Sequence, residues 1–155
     1  FFIGLKLVRG AYHEKEIERA KNMGYSCPVH QKKKDTDKDY NTALSICIKN
    51  IDIISICAGT HNEESSSILI DLLKEKGISK NDKRVYFSQL LGMSDHISYN
   101  VAKKGFNAAK YVPYGPVKDV LPYLIRRAEE NTSIAGQMGR ELSNIIAEKK
   151  RRRKS

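Results

Sequence analysis

The chain has 155 residues, enough for one domain with a core, and its 40% hydrophobic and 30% charged content excludes a disordered or fibrous polypeptide. The net charge of +10 is concentrated at one end: Lys149, Lys150, Arg151, Arg152, Arg153 and Lys154 form a run of six cations, leaving +4 elsewhere. No apolar run approaches the roughly 20 residues that cross a bilayer, and the opening Phe1-Phe2-Ile3-Gly4-Leu5 is too short for a secretory signal.

In chain order, Ile3–Val8 reads as a strand, and His13–Met23 as a helix with Ile17 and Ala20 on one side and Gly24 at its end. Residues 25–38, with Pro28 and Lys32-Lys33-Lys34, read as a long polar loop or lid. Tyr40, Ala43, Leu44, Cys47 and Ile48 then recur at helical spacing over Asp39–Lys49. A β-rich run, Ile51–Cys57, predicts the second strand. Asn62 caps a helix over Glu63–Lys76, with two glutamates in its first turn and Gly77 beyond its end. The third unit repeats the plan with strand Arg84–Ser88, cap Ser94, helix Asp95–Lys104 and stop Gly105. A fourth has strand Ala108–Val112 and a helix from Val117 to Asn131, and a last helix, Ile134–Lys149, leads into the basic residues.

Strands alternating with helices imply parallel pairing and right-handed crossovers. Four such units are half of an eight-unit barrel, whose usual length is about 250 residues. The pattern leaves two architectures: an open sheet covered by helices, or a barrel whose front half lies outside the sequence. The missing initiator methionine fits a chain that begins inside a longer one.

Strand carboxyl ends in parallel α/β proteins converge on one rim, where ligands bind. The four run-ends here carry Arg9-Gly10-Ala11-Tyr12, Thr60-His61-Asn62, Gln89-Leu90-Leu91-Gly92 and Tyr111-Val112-Pro113-Tyr114. A cation, a histidine, an amide and tyrosines on one rim suit a large polar ligand. His61 is equally a structural residue or a ligand contact, and Gly10-Ala11 equally a tight turn or a close backbone approach. No G-x-G-x-x-G occurs. On the fourth helix, Arg126, Arg127 and Glu130 fall together away from the stripe of Val117, Val120, Leu121, Leu124, Ile125 and Ala128. They form either a solvated edge or a guanidinium pair that holds a carboxylate. Three cysteines without C-x-x-C pairing point to a reducing compartment, and four scattered histidines offer no zinc-ligand spacing.

Five motifs in order, Lys6-Leu-Val-Arg-Gly-Ala-Tyr12, Thr60-His-Asn62, Val85-Tyr-Phe-Ser-Gln-Leu-Leu-Gly-Met93, Tyr111-Val-Pro-Tyr-Gly-Pro116 and Tyr123-Leu-Ile-Arg-Arg127, together resemble proline dehydrogenase. The match runs over nearly the whole chain. The resemblance implies strands five to eight, with their helices, of a distorted (β/α)8 TIM barrel truncated at its N-terminus, with residues 1–149 in the barrel half and 150–155 a basic tail. It implies a flavoprotein of proline catabolism: an FAD-dependent oxidoreductase converting L-proline to 1-pyrroline-5-carboxylate by hydride transfer to flavin N5 and passing electrons to a membrane quinone.

Carried over by motif, Arg126 and Arg127 pair with the substrate carboxylate, and Tyr111, Leu90 and Tyr12 line the proline pocket. Lys6, Arg9, Gly10, Ala11, Thr60, His61, Gln89 and Glu130 line the FAD site. The resemblance assigns no catalytic acid or base and no metal. A tyrosine at 111 suits proline, where hydroxyproline-selective relatives carry a smaller residue. Two departures stand out: His13 occupies a position where some members have tryptophan, and the family's front half, with an aspartate and a lysine of the pocket, is absent. The chain alone is therefore expected to bind FAD weakly and to turn over slowly if at all. The resemblance further implies a bacterial cytoplasm with peripheral contact at the inner membrane, or else a mitochondrial matrix. Competing readings are an inactive family fragment and a basic module touching nucleic acid or anionic lipid. No aromatic or recognition-helix pattern accompanies the tail, so no nucleic acid is expected, and a solvated tail at the negative helix end is the plainer account.

Overall fold

A computed structural model describes residues 1–10, 12–132 and 135–153, with the side chains of 126–132, 135–141, 144 and 148 outside that description. Chain order is β1 (Ile3–Leu7), α1 (His13–Met23), α2 (Lys33–Lys49), β2 (Ile54–Gly59), α3 (Glu63–Glu75), β3 (Val85–Leu90), α4 (Asp95–Lys103), β4 (Ala108–Tyr111), α5 (Val117–Thr132) and α6 (Ala135–Arg152). Two compact units result, Phe1–Tyr111 and Val112–Ser155.

In the first unit the four strands form one parallel sheet in the order β1-β2-β3-β4. The order never reverses, so there is no switch point of the doubly wound kind. Successive crossovers of one hand then put the helices on one face. The core bears this out: Tyr40, Leu44, Cys47 and Ile48 of α2, Leu69 and Leu73 of α3, and Ile97 and Val101 of α4 pack on Ile56, Ala58, Val85 and Phe87. Phe87 meets Phe106 edge-on, with ring centroids 5.6 Å apart.

Strand alternation sends the intervening residues to the opposite face. Register groups there Gly4, Lys6, Ser55, Cys57, Gly59, Tyr86, Ser88, Leu90, Ala109 and Tyr111. Those positions are half-buried or exposed apart from Ser88, and no helix of this unit contributes to a core on that side. Helices on one face and an open second face are what an arc of a (β/α) barrel has.

In the first unit, three elements differ from the sequence reading by more than one residue. Helix α2 starts at Lys33, six residues before Asp39: its first turns are polar and show no apolar period, but Lys33 and Asp37 form an i,i+4 ion pair within them. Strand β2 starts at Ile54, because residues 50–54 turn on bonds from the Ile53 and Ile54 amides to the Asn50 carbonyl, both 3.1 Å. Strand β3 runs on to Leu90, since the polar Ser88 and Gln89 are buried within it rather than ending it.

Local chemistry sets the helix ends. The Asn62 side chain accepts the Ser65 amide at 3.1 Å at the start of α3, and Gly24 ends α1 at φ 72°. In the second unit α5 continues through Pro122, which has no amide hydrogen to give the helix. Helix α6 extends to Arg152, so part of the predicted basic tail is helical; Ile134, its predicted start, lies outside the described residues.

Candidate functional site at the strand carboxyl ends

Because the strands are parallel, Leu7, Gly59, Leu90 and Tyr111 end on one edge of the sheet. The open face at that edge is cupped. Lys6 of β1 holds its ammonium 4.3 Å from the ring centre of Tyr111 on β4. On a flat sheet these residues would stand about 14 Å apart across three strand spacings and, by register, about 13 Å out of step along the strands. Twist and curl must bring the two edge strands toward each other over this face. The floor beneath them is made of small residues: Cys57, Gly59, Ser88 and Ala109. Barrel interiors are ordinarily filled with bulky branched side chains; here the Gly59–Ser88–Ala109 level is small, between Tyr86 on one side and Leu90 and Tyr111 on the other. At Gly59 even a methyl would come within 3.0 Å of Val8 Cγ1 and 3.3 Å of Lys6 Cε.

Just beyond the strands, Arg9 organises the rim. Its Nε donates to Asp37 Oδ1 at 2.6 Å, Nη1 donates to the Thr60 hydroxyl and Nη2 to the Ser65 hydroxyl, while the guanidinium lies 4.1 Å from the Tyr40 ring centre. One side chain thus ties the β1 tip to α2, to the residue after β2 and to the first turn of α3. Burial pushes the Asp37 carboxyl up, but bonds from Lys33 and Arg9 outweigh it and hold the group below the usual carboxylate range. Burial raises the Tyr40 phenol to about 12, against the opposing charge of Arg9. Tyr40 therefore stays neutral and serves as an aromatic platform.

The other strand tips are tied in the same way. Thr60 accepts the Asn62 amide at 3.1 Å, and its carbonyl accepts the Gln89 side-chain amide at 3.1 Å. Ser98 of α4 donates to the other end of Gln89 at 2.8 Å. Gln89 is thus buried on the helix-packed face with both ends of its amide bonded within the chain. His61 Nδ1 lies 3.0 Å from the hydroxyl of Ser94, which sits in a left-handed backbone conformation at the start of α4. Lys110 donates to the Met93 carbonyl at 2.7 Å and to Asp95 at 2.6 Å, fixing β4 to α4.

Of the residues named from the sequence, the structure brings Lys6, Arg9, Gly10, Tyr12, Thr60, His61, Gln89, Leu90 and Tyr111 to or just past one set of strand ends. Lys6, Leu90 and Tyr111 share the open face. Arg9 and Gln89 are turned into their own chain. Gly10 and Tyr12 take left-handed conformations, φ 81° and 70°, in the turn into α1, and Tyr12 is half exposed. Ala11 lies outside the described residues, as do the side chains of Arg126, Arg127 and Glu130 on α5. Sequence reasoning missed two sets: the floor residues Cys57, Ser88 and Ala109, which need strand register to find, and Asp37, Tyr40 and Ser65, which meet Arg9 only in three dimensions.

Fold and rim together define a parallel α/β sheet with helices on one face and polar and aromatic side chains gathered at the carboxyl ends of its strands, where folds of this class bind ligands. The profile of the proline dehydrogenase family matches residues 1–140. "Proline dehydrogenase 1, mitochondrial" of Drosophila melanogaster is 41% identical over 162 residues, covering 98% of this chain and 24% of that protein. The Homo sapiens protein of the same name is 40% identical over 152 residues, 96% of this chain and 25% of the relative. "Hydroxyproline dehydrogenase" of Xenopus laevis is 40% identical over 156 residues, with 96% and 33% covered. Among solved structures, proline utilization A (PutA) from Bdellovibrio bacteriovorus, inactivated by N-propargylglycine, superposes with a TM-score of 0.76 at 28% identity, over 83% of this chain and 13% of that one.

The chain belongs to the proline dehydrogenase family, a family of oxidoreductases. It spans about a quarter of the length of its Drosophila and human relatives.

Proposed function

We propose that residues 1–149 form the carboxyl-terminal half, strands five to eight, of a distorted (β/α)8 barrel that oxidises L-proline to 1-pyrroline-5-carboxylate with FAD. One observation carries the reading: in a chain of this family, the cupped strand-end face is cationic at Lys6, aromatic at Tyr111 and floored by small residues. Such a face fits a flavin, because missing side-chain volume leaves room for a planar ring and Lys6 offers a positive charge to an electron-rich edge. Bound there, FAD would supply an acceptor at N5 for hydride from the proline carbon beside nitrogen.

The chain's own residues do the positioning. Lys6, the turn Arg9-Gly10-Ala11, Thr60, His61 and Glu130 hold the cofactor, with Gln89 and the Arg9 side chain bracing the tips that present them. Arg126 and Arg127 grip the substrate carboxylate with paired planar donors. Tyr111, Leu90 and Tyr12 close on the proline ring and keep water from it. Identity alone does not separate proline from hydroxyproline, since the Xenopus relative named for the latter is 40% identical. The resemblance favours proline at Tyr111, since hydroxyproline-selective relatives carry a smaller residue there. A membrane quinone is the proposed electron acceptor. The mitochondrion is the proposed compartment, on the names of the Drosophila and human relatives.

Flavin absorbance of the purified chain titrated with FAD tests this reading. We expect weak, substoichiometric binding, because half of the pocket wall is supplied from outside these residues. Stoichiometric yellow protein would contradict the need for the other half, and no binding at any FAD concentration would remove the flavin assignment.

A further inference from the structure

We infer that Ser94 is a positioning residue for the His61 imidazole, its hydroxyl donating to Nδ1 so that the ring hydrogen stays on Nε2. Serine at a helix start ordinarily takes an extended backbone and accepts an amide of the first turn. Ser94 precedes α4 but sits at φ 51°, ψ 42° and makes no such capping bond. Its hydroxyl lies 3.0 Å from His61 Nδ1 instead, and the residue is 1% exposed. A left-handed backbone is costly for a residue with a Cβ and persists only where the surroundings enforce it. Here Lys110 of β4 donates to the Met93 carbonyl at 2.7 Å and to Asp95 at 2.6 Å, gripping the residues on either side of Ser94. The Ser94 carbonyl accepts the Ile97 and Ser98 amides at 3.0 and 3.2 Å.

Ser94 and Ser98, four residues apart across the start of α4, therefore hold His61 from two sides. Ser94 meets the ring; Ser98 donates to Gln89 at 2.8 Å, and Gln89 donates to the Thr60 carbonyl at 3.1 Å, on the peptide that leads into His61. One nitrogen of a neutral imidazole must be committed before the other has a defined role. Flavin phosphates and ring carbonyls are acceptors, so the tautomer that serves them carries its hydrogen on Nε2. A hydroxyl donating to Nδ1 selects that tautomer, and residues that hold a site group in place are ordinarily locked by bonds of this kind. What the tautomer does for the site rests on the flavin reading; the strained backbone, the absent cap and the bond to His61 do not.

The test compares the 155-residue chain with Ser94→Gly and Ser94→Ala by the nitrogen resonances of the His61 ring and by FAD titration. The spectra are taken at about pH 8.5, two units above the ordinary imidazole value of about 6.5. The unmodified chain should show the Nε2–H tautomer alone, and both variants a mixture of tautomers. Both variants should bind FAD about tenfold more weakly, for the loss of one well-made hydrogen bond. Thermal unfolding separates positioning from a structural role. Glycine is at ease at φ 51°, so Ser94→Gly should unfold above Ser94→Ala while losing as much FAD affinity. A single tautomer retained in Ser94→Gly would overturn the inference. So would an FAD affinity that merely follows stability, falling in the alanine variant but not in the glycine one. If the unmodified chain takes up no FAD, the flavin reading falls, and the imidazole resonances alone decide for or against Ser94.

Discussion

Arg9 is the side chain on which the rim geometry turns. Removing it leaves Asp37, Thr60 and Ser65 without the donor they share. Arg9→Ala should therefore cost about 2–3 kcal/mol in urea unfolding, the range for a lost charge-assisted bond with partners left partly buried. Arg9→Lys should recover only part of that, because a point charge cannot replace a three-way planar donor. Full recovery by lysine would mean that charge alone matters. At the opposite end of the strands, bonds from Arg84 hold the Asp82 carboxyl at about 2, below its ordinary 3.8. A carboxyl depressed in the folded state favours folding above its unfolded value, and that contribution is lost as pH falls from about 4 to about 2. Asp82→Asn should flatten this part of the acid-unfolding profile; an unchanged slope would mean that Arg84 holds nothing in solution.

Helix and strand elements were legible in the sequence where one pattern dominated. The apolar period of α3, its Asn62 cap and the glycine after its end predicted both its place and its start. Asn62→Ala should cost about 1 kcal/mol by thermal unfolding, since the Ser65 amide loses its acceptor. What the pattern hid were polar residues with distant partners. The first turns of α2 carry no apolar stripe, and their anchor, Asp37, meets an arginine 28 positions earlier. Gln89 looked like the end of a strand because its partners, the Thr60 carbonyl and the Ser98 hydroxyl, are invisible to local spacing. Ile51 was β-branched and apolar, as strands require, yet it is buried in the core from a turn. For the site, the position of the tips was readable because parallel strands end on one edge, while glycine and histidine there were equally consistent with a turn or a structural bond. The floor was not: Cys57, Ser88 and Ala109 become neighbours only through register between strands.

For the whole molecule, the sheet explains both what this chain has and what it needs. Its helix side has a complete core, and Phe87→Ala there should cost about 3–5 kcal/mol by urea unfolding, as for other large-to-small core changes. Its other side is a cupped, small-floored surface of the kind that a full barrel encloses. The claim that this surface belongs to a proline-oxidising flavin site rests on the arginines of α5 serving the same ligand. The most direct measurement is the KM for proline of Arg126→Lys and Arg127→Lys, made in a chain that carries the whole barrel. Loss of a paired guanidinium grip worth about 2–4 kcal/mol should raise KM by roughly 30- to 1000-fold. An unchanged KM in both variants would make these arginines surface residues and contradict the assignment.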